Sequence, residues 1–342
     1  MRKLALVTLA GWALASTRPA RADCAPEAHL STCFDADTLW PHAGPAYFNF
    51  IGGRATTPPG AFGLGLFATY LSRPVVLAIP SADPNGTEVV AVDHLSDATL
   101  LVSFGLTDRV DASLALPVVA YRSGSGISSL TSGRARPISY AAMRDARAGA
   151  GFRLAGCPAA VACEHPFGMA ARLELSLPTG DDSFAGDQSV VVTPSLSGEW
   201  AAPPFVAGAE IGARIRNTAD LAGSRVGSQV VLALGLGADV LEGGRLGFVV
   251  EAMALPTLVA QRELTFDQAT GERIESGSRP RLVPAEWEAA LRSADLFTDG
   301  MSLSLGAGTP LLFTGESGIT SPRYRVTFSI RYTPRRRRQD AP

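Results

Sequence analysis

From about residue 60 to residue 332 the chain repeats one pattern, segments of roughly ten residues in which every second residue is apolar. In the first, Phe62, Leu64, Leu66, Ala68 and Tyr70 share one face, and Gly63, Gly65 and Thr69 share the other. Further on, Met169, Ala171, Leu173, Leu175 and Leu177 oppose Arg172, Glu174 and Ser176. Ala209, Ile211, Ala213 and Ile215 oppose Glu210, Gly212, Arg214 and Arg216. The last segment sets Tyr324, Val326, Phe328, Ile330 and Tyr332 against Arg325, Thr327, Ser329 and Arg331. A period of two is that of the β-strand, whose side chains alternate between the faces of a sheet. Counted this way, about twelve strands are expected.

Soluble sandwiches also alternate, so the contrast between the faces decides. One face is almost purely Leu, Val, Ile, Ala and Phe; the other is Gly, Ser, Thr, Arg and Glu. A soluble barrel of about twelve strands would need large apolar groups to fill its interior. Turning the apolar face to lipid and the polar face inward removes that demand, and closure leaves no strand edge for lipid to face. The expected fold is all-β, an antiparallel transmembrane β-barrel in the outer membrane of a Gram-negative cell. Connections alternate too. Thr107–Arg109 and Glu242–Gly244 read as tight turns, while residues 123–142 and 258–281 are long and rich in Ser, Gly and Arg. That is the asymmetry of short periplasmic turns and long external loops. Tyr70, Tyr121 and Tyr324 would form an outer aromatic girdle, and Phe167, Trp200, Phe205 and Tyr332 an inner one. Trp287 reads as mid-strand and breaks that rule.

The start of the chain agrees with export. Arg2 and Lys3 precede an apolar run, Leu4–Ala15, too short to cross a bilayer as a helix and interrupted by Thr17, Arg18 and Pro19. Ala20, Arg21 and Ala22 put small residues at a cleavage site, so residues 1–22 read as a secretory signal. Cleavage would remove four of the 30 bases and none of the 32 acids, leaving a net charge of −6. Lys3 is the only lysine. No basic face remains for nucleic acid, and none is expected as a partner. Residues 23–58, rich in Pro, Gly and Ala and punctuated by Trp40, Tyr47, Phe48 and Phe50, lack periodicity. They read as a periplasmic N-terminal extension packing under or into the barrel mouth. The barrel would span residues 59–333, followed by a basic tail, 334–342, whose Arg335–Arg338 run reads as solvated rather than as a headgroup-binding patch.

Cys24 with Cys33, and Cys157 with Cys163, form two close pairs. In an oxidising periplasm these favour two local disulfides. A metal site is the weaker reading, because the spacings are not C-x-x-C and only His165 lies near either pair. Asp181, Asp182 and Asp187 could offer oxygen ligands to Ca²⁺, but not with EF-hand spacing; a solvated loop is favoured. A membrane hydrolase needs a base beside its nucleophile. His29, His42, His94 and His165 all fall outside mid-strand positions, so no catalytic residue, metal or cofactor is assigned and no enzyme is expected. The inward charges are the candidate site. Arg147, Arg153, Arg172, Glu174, Glu210, Arg214, Glu251, Glu286, Arg325 and Arg331 would either salt-bridge the lumen or line a selective pore.

The segments Phe104–Asp111, Leu177–Asp187 and Ser317–Arg325 resemble turn signatures of the N-terminal barrel region of OmpA-family proteins of myxobacteria. More distantly, they resemble transporter barrels associated with phenol degradation. The resemblance covers roughly residues 40–333 and implies an outer-membrane barrel, with no substrate. Such chains often continue into a peptidoglycan-binding domain; this sequence stops at Pro342, just past the last strand, so that anchoring role is not expected. The expected role is porin-like passive transport of small solutes, or a structural role, with outer-membrane lipid and the barrel-assembly machinery as partners. The alternatives are a barrel that binds surface ligands through its long loops, or a membrane hydrolase.

Overall fold

The computed structural model of the chain describes residues 24, 29–79, 87–131, 137–156, 166–187, 189–241, 245–266, 273–295, 297–311 and 319–334. The expected signal, Cys157, Cys163, His165 and Arg335–Arg338 lie outside the described residues. In chain order the strands are β1 (Phe62–Ile79), β2 (Thr87–Gly105), β3 (Val110–Ser123), β4 (Ala142–Met143), β5 (Arg147–Ala155), β6 (Phe167–Ser176), β7 (Val191–Ala202), β8 (Phe205–Arg214), β9 (Ala219–Leu221), β10 (Ser224–Val226), β11 (Gln229–Asp239), β12 (Gly247–Ala254), β13 (Gln261–Phe266), β14 (Arg273–Arg279), β15 (Ala285–Ala294), β16 (Met301–Pro310) and β17 (Tyr324–Tyr332). One 3₁₀ turn, Ser128–Leu130, interrupts a loop.

Twelve of these strands form one closed antiparallel barrel. The order runs β1, β2, β3, β5, β6, β7, β8, β11, β12, β15, β16, β17 and back to β1. Closure is a nine-pair register between β1 and β17, from Leu64 opposite Tyr332 to Ser72 opposite Tyr324. The twelve are the alternating segments expected from the sequence. β4 pairs with β3, and the hairpins β9–β10 and β13–β14 stand in long loops. Among the described residues no helix is long and apolar enough to cross a membrane, which says nothing of strands.

The outer wall is apolar, as the alternation requires. Leu66, Leu100, Phe152, Leu173, Ile211, Leu234, Leu236, Phe248, Leu291 and Leu305 are exposed there. At the short-turn end Phe62 stacks on Phe104 at 4.6 Å, and Phe167, Trp200 and Phe205 are exposed. At the long-loop end Tyr70 lies 5.9 Å from Tyr324. Trp287 is the third residue of β15, near the long-loop end, and its indole N–H donates to Thr309 Oγ1 at 2.9 Å. It therefore fits the girdle; the strand starts later than the alternation suggested.

The inner wall departs from the expected polar face. Phe67, Leu101, Ala233, Val231, Val249 and Met253 are buried inside. They pack against Leu39, Phe48, Phe50 and Ile51, because the segment before β1 runs on through the lumen and does not stop at its mouth. Its start lies under the long loops. Leu30 bridges Leu221, Asp35 bridges Ala185, and Phe34 meets Phe184 edge-on at 5.4 Å. Its end leaves at the short-turn end, where Pro59 bridges Gly105 before β1 begins. The wall makes room for it. A Cβ on Gly208 or Gly235 would stand 2.5 or 2.6 Å from the Phe48 ring, closer than carbon atoms approach.

Candidate functional site

The site is the contact between the inner wall and residues 29–58. Near the long-loop end, Arg144, fully buried just before β5, bonds Asp35 at 2.7 Å, the Asp37 carbonyl at 3.0 Å and Asp97 of β2. Asp37 also accepts from Arg325 at 2.6 Å, and Arg325 holds Glu286 at 2.8 Å. Thr69 donates to Asp97 at 2.8 Å, and Thr38 to Glu286 at 3.3 Å. Two arginines thus share four carboxylates, two from the segment and two from the wall.

Below this, Trp40 lies under two guanidinium groups, Arg214 at 4.3 Å and Arg147 at 5.1 Å from the ring centroid. Arg147 also pairs with Glu174 at 3.1 Å. Glu210 takes His42 at 3.1 Å and the Gly52 N–H at 2.6 Å, and Arg331 donates to the His42 carbonyl at 3.1 Å. Glu251 accepts the N–H groups of Asn49 and Phe50 at 2.8 and 2.7 Å, and Asn49 donates to Glu288 at 2.8 Å. Arg172 donates to Ser197 at 2.7 Å and to the Gly53 carbonyl. Tyr47 donates to Asp239 at 2.9 Å, and Arg54 pairs with Glu199 at 3.3 Å. Where the segment leaves, the Thr57 N–H donates to Asp111 at 2.9 Å.

The ten residues singled out from the sequence are therefore brought together in an unexpected way. Arg147, Arg172, Glu210, Arg214, Glu251, Glu286, Arg325 and Arg331 all touch the segment. Glu174 acts through Arg147. Arg153 does not take part: it donates to the Asp108 carbonyl at 2.9 Å, at the short-turn rim. Sequence reasoning missed Asp97, because β2 runs further than its apolar alternation. It missed Arg144 and Asp37, because both lie outside strands.

Cys24 and Cys33 are joined by a disulfide at the start of the segment. Of the loop aspartates, Asp181 is exposed, while Asp182 and Asp187 are held in ion pairs. Asp182 pairs with Arg122, Asp187 pairs with Arg216 at 3.1 Å, and Asp181 accepts the Met143 N–H at 2.9 Å. Among the described residues no group of three His, Cys, Asp or Glu could hold a metal ion. His29 bonds Asp220 at 3.1 Å, His42 bonds Glu210, and His94 bonds the Tyr70 hydroxyl at 2.7 Å. None of these three histidines bonds a serine.

No family model matches the chain, and no curated protein matches it. Among solved structures, the chain is similar to an outer-membrane channel from Pseudomonas putida F1. The TM-score is 0.55 at 15% identity, covering 82% of this chain and 98% of that one. The NanC porin has a TM-score of 0.43 at 9% identity over 79% of this chain and 98% of its own. The KdgM porin has 0.42 at 7%, over 79% and 99%. At such identities the first likeness shows the barrel fold alone.

Proposed function

We propose that this chain is a porin-like outer-membrane barrel for small solutes, held shut at rest by its own N-terminal segment. The apolar outer wall and the aromatic ends support the membrane placement, since a patch of that size in water would aggregate. With the short turns in the periplasm, the long loops and the Cys24–Cys33 disulfide face outward. Outer-membrane lipid and the barrel-assembly machinery are the partners this reading requires.

The observation that carries the closed passage is how the segment is held. It is anchored to the wall by side chains and isolated bridges rather than by continuous strand pairing. Charged side-chain contacts can be exchanged for water when the segment moves, whereas a sheet strand would have to break its whole ladder. This favours a movable closure over a filler that only stiffens the barrel. The test is planar-bilayer recording of the refolded chain. Brief openings from a closed baseline are expected; a permanently silent record, in the native chain and in variants with a weakened socket, leaves only the structural role. Ligand binding lost on deleting the long loops would instead support the surface-binding alternative, and lipid-ester cleavage the hydrolase.

A further inference from the structure

Arg214 stands apart among the buried arginines of the lumen: Arg331 also has no carboxylate within ion-pair distance among the described residues, but it donates to the His42 carbonyl at 3.1 Å. Arg144, Arg147, Arg325 and, just above it, Arg216 each reach a carboxylate at 3.1 Å or less. Arg214 is 4% exposed. Among the described residues no carboxylate lies within ion-pair distance of it and its side chain makes no hydrogen bond; its guanidinium lies against the Trp40 ring. A buried cation without an anion is costly, so the site is incomplete in charge.

Its neighbours are incomplete in hydrogen bonds. Thr193 stands opposite Arg214 across β7 and β8, in the register set by Ser195 opposite Gly212 and the Val192–Ile215 bridge. Thr193 also faces Glu174 of β6, whose carboxylate is already engaged by Arg147. The hydroxyls of Thr193, Ser195 and Ser176 are at least nine-tenths buried. Like Arg214 Nε, they find no hydrogen-bond partner among the described residues. Buried polar atoms are normally satisfied, so Arg214 Nε and the neighbouring Thr193 and Ser195 hydroxyls call for an acceptor-rich partner; Ser176, opposite Val191 and so four residues along from Ser195, lies too far away to share it. A cation would be repelled and a neutral solute would leave the guanidinium uncompensated. From this we infer that Arg214, Thr193 and Ser195 form a subsite for a small oxyanion, a carboxylate or a phosphate, on the lumen wall beside Trp40. It names a solute class for the passage proposed above, and rests on that reading.

Trp40 reports the site once Trp200 and Trp287 are replaced by Phe in the chain from Asp23 onward. The refolded barrel is titrated with inorganic phosphate and, separately, acetate, at constant ionic strength in chloride. A saturable change in Trp40 fluorescence with either anion is expected, and which anion saturates identifies the source. Arg214→Gln should weaken it by about tenfold or more. Thr193→Val, which keeps the charge and the fold, should weaken it by about threefold. No saturable response to either anion, or equal responses in native and variant proteins, overturns the subsite. Binding without conductance would leave the subsite and remove the passage; conductance without binding would do the reverse.

Discussion

Replacing Arg144 by Gln should open the barrel. The native guanidinium is 2% exposed and holds Asp35 and Asp37 of the segment against Asp97 of the wall. Without it, Asp35, Asp37 and Asp97 crowd together with Arg325 as the nearest cation, bound to Asp37 and shared with Glu286. Removing one partner of a buried ion pair costs about 3–5 kcal/mol. The Asp97 contact lies within the wall, so only the contacts to Asp35 and Asp37 differ between the closed and displaced states. Taking about 3 kcal/mol for these, the open-to-closed ratio should rise about a hundredfold. The assay is single-channel open probability at pH 7, with Arg73→Gln as control. That residue pairs with Asp93 at an exposed position, and a pair of that kind is worth about 1 kcal/mol at most. Acidification should close the Arg144→Gln channel again, because protons then replace the missing positive charge. A folded Arg144→Gln barrel that opens as rarely as the native one would refute the reasoning.

Three further outcomes follow from the same structure. Burial pushes the Asp145 carboxyl from its ordinary 3.8 up to about 7, although it accepts the Gly180 and Asp187 N–H groups at 2.7 and 2.6 Å. Its proton is held more tightly in the packed loop, so the packing is firmest below pH 4 and weakens as pH rises through 7. Burial moves Asp187 in the same direction. Hydrogen exchange at Gly180, corrected for intrinsic rates, should be faster at pH 7.5 than at pH 5, and the difference should shrink in Asp145→Asn, leaving the part that Asp187 supplies. Leu234→Arg, in the middle of β11 on the outer wall, should cost about 2–4 kcal/mol of folding into vesicles; the same change at Leu241, in a turn, should cost clearly less. Gly208→Ala should loosen the segment by pushing on Phe48, and the penalty should vanish in a Phe48→Ala background, as a double-mutant cycle on open probability would show.

The barrel was legible in the sequence because lipid imposes one rule on every strand. Apolar residues must recur at every second position from Phe62 to Tyr332, and twelve segments do this. What the lumen contains follows no such rule. Residues 29–58 satisfy the inner wall point by point, Trp40 under arginines and Phe48 over glycines, so they show no period. A signal was present nonetheless. Phe67, Leu101, Val231, Val249 and Met253 put apolar side chains on the supposedly wet face, and Gly235 and Gly237 alternate with leucines in β11. A strand apolar on both faces is covered on both faces. The inward charges were legible as residues but not in their role. Alternation reports which way a side chain points, not whether it meets water, a salt-bridge partner on the wall, or a returning stretch of chain.

Whether the segment closes a passage can be tested by pinning it in place. Asn49 donates to Ser304 Oγ on β16 at 3.4 Å in the middle of the lumen. Asn49→Cys with Ser304→Cys, joined by a short bifunctional thiol reagent, should give a folded barrel that stays silent in a planar bilayer, while the unjoined double variant opens. Equal conductance before and after joining would contradict the account.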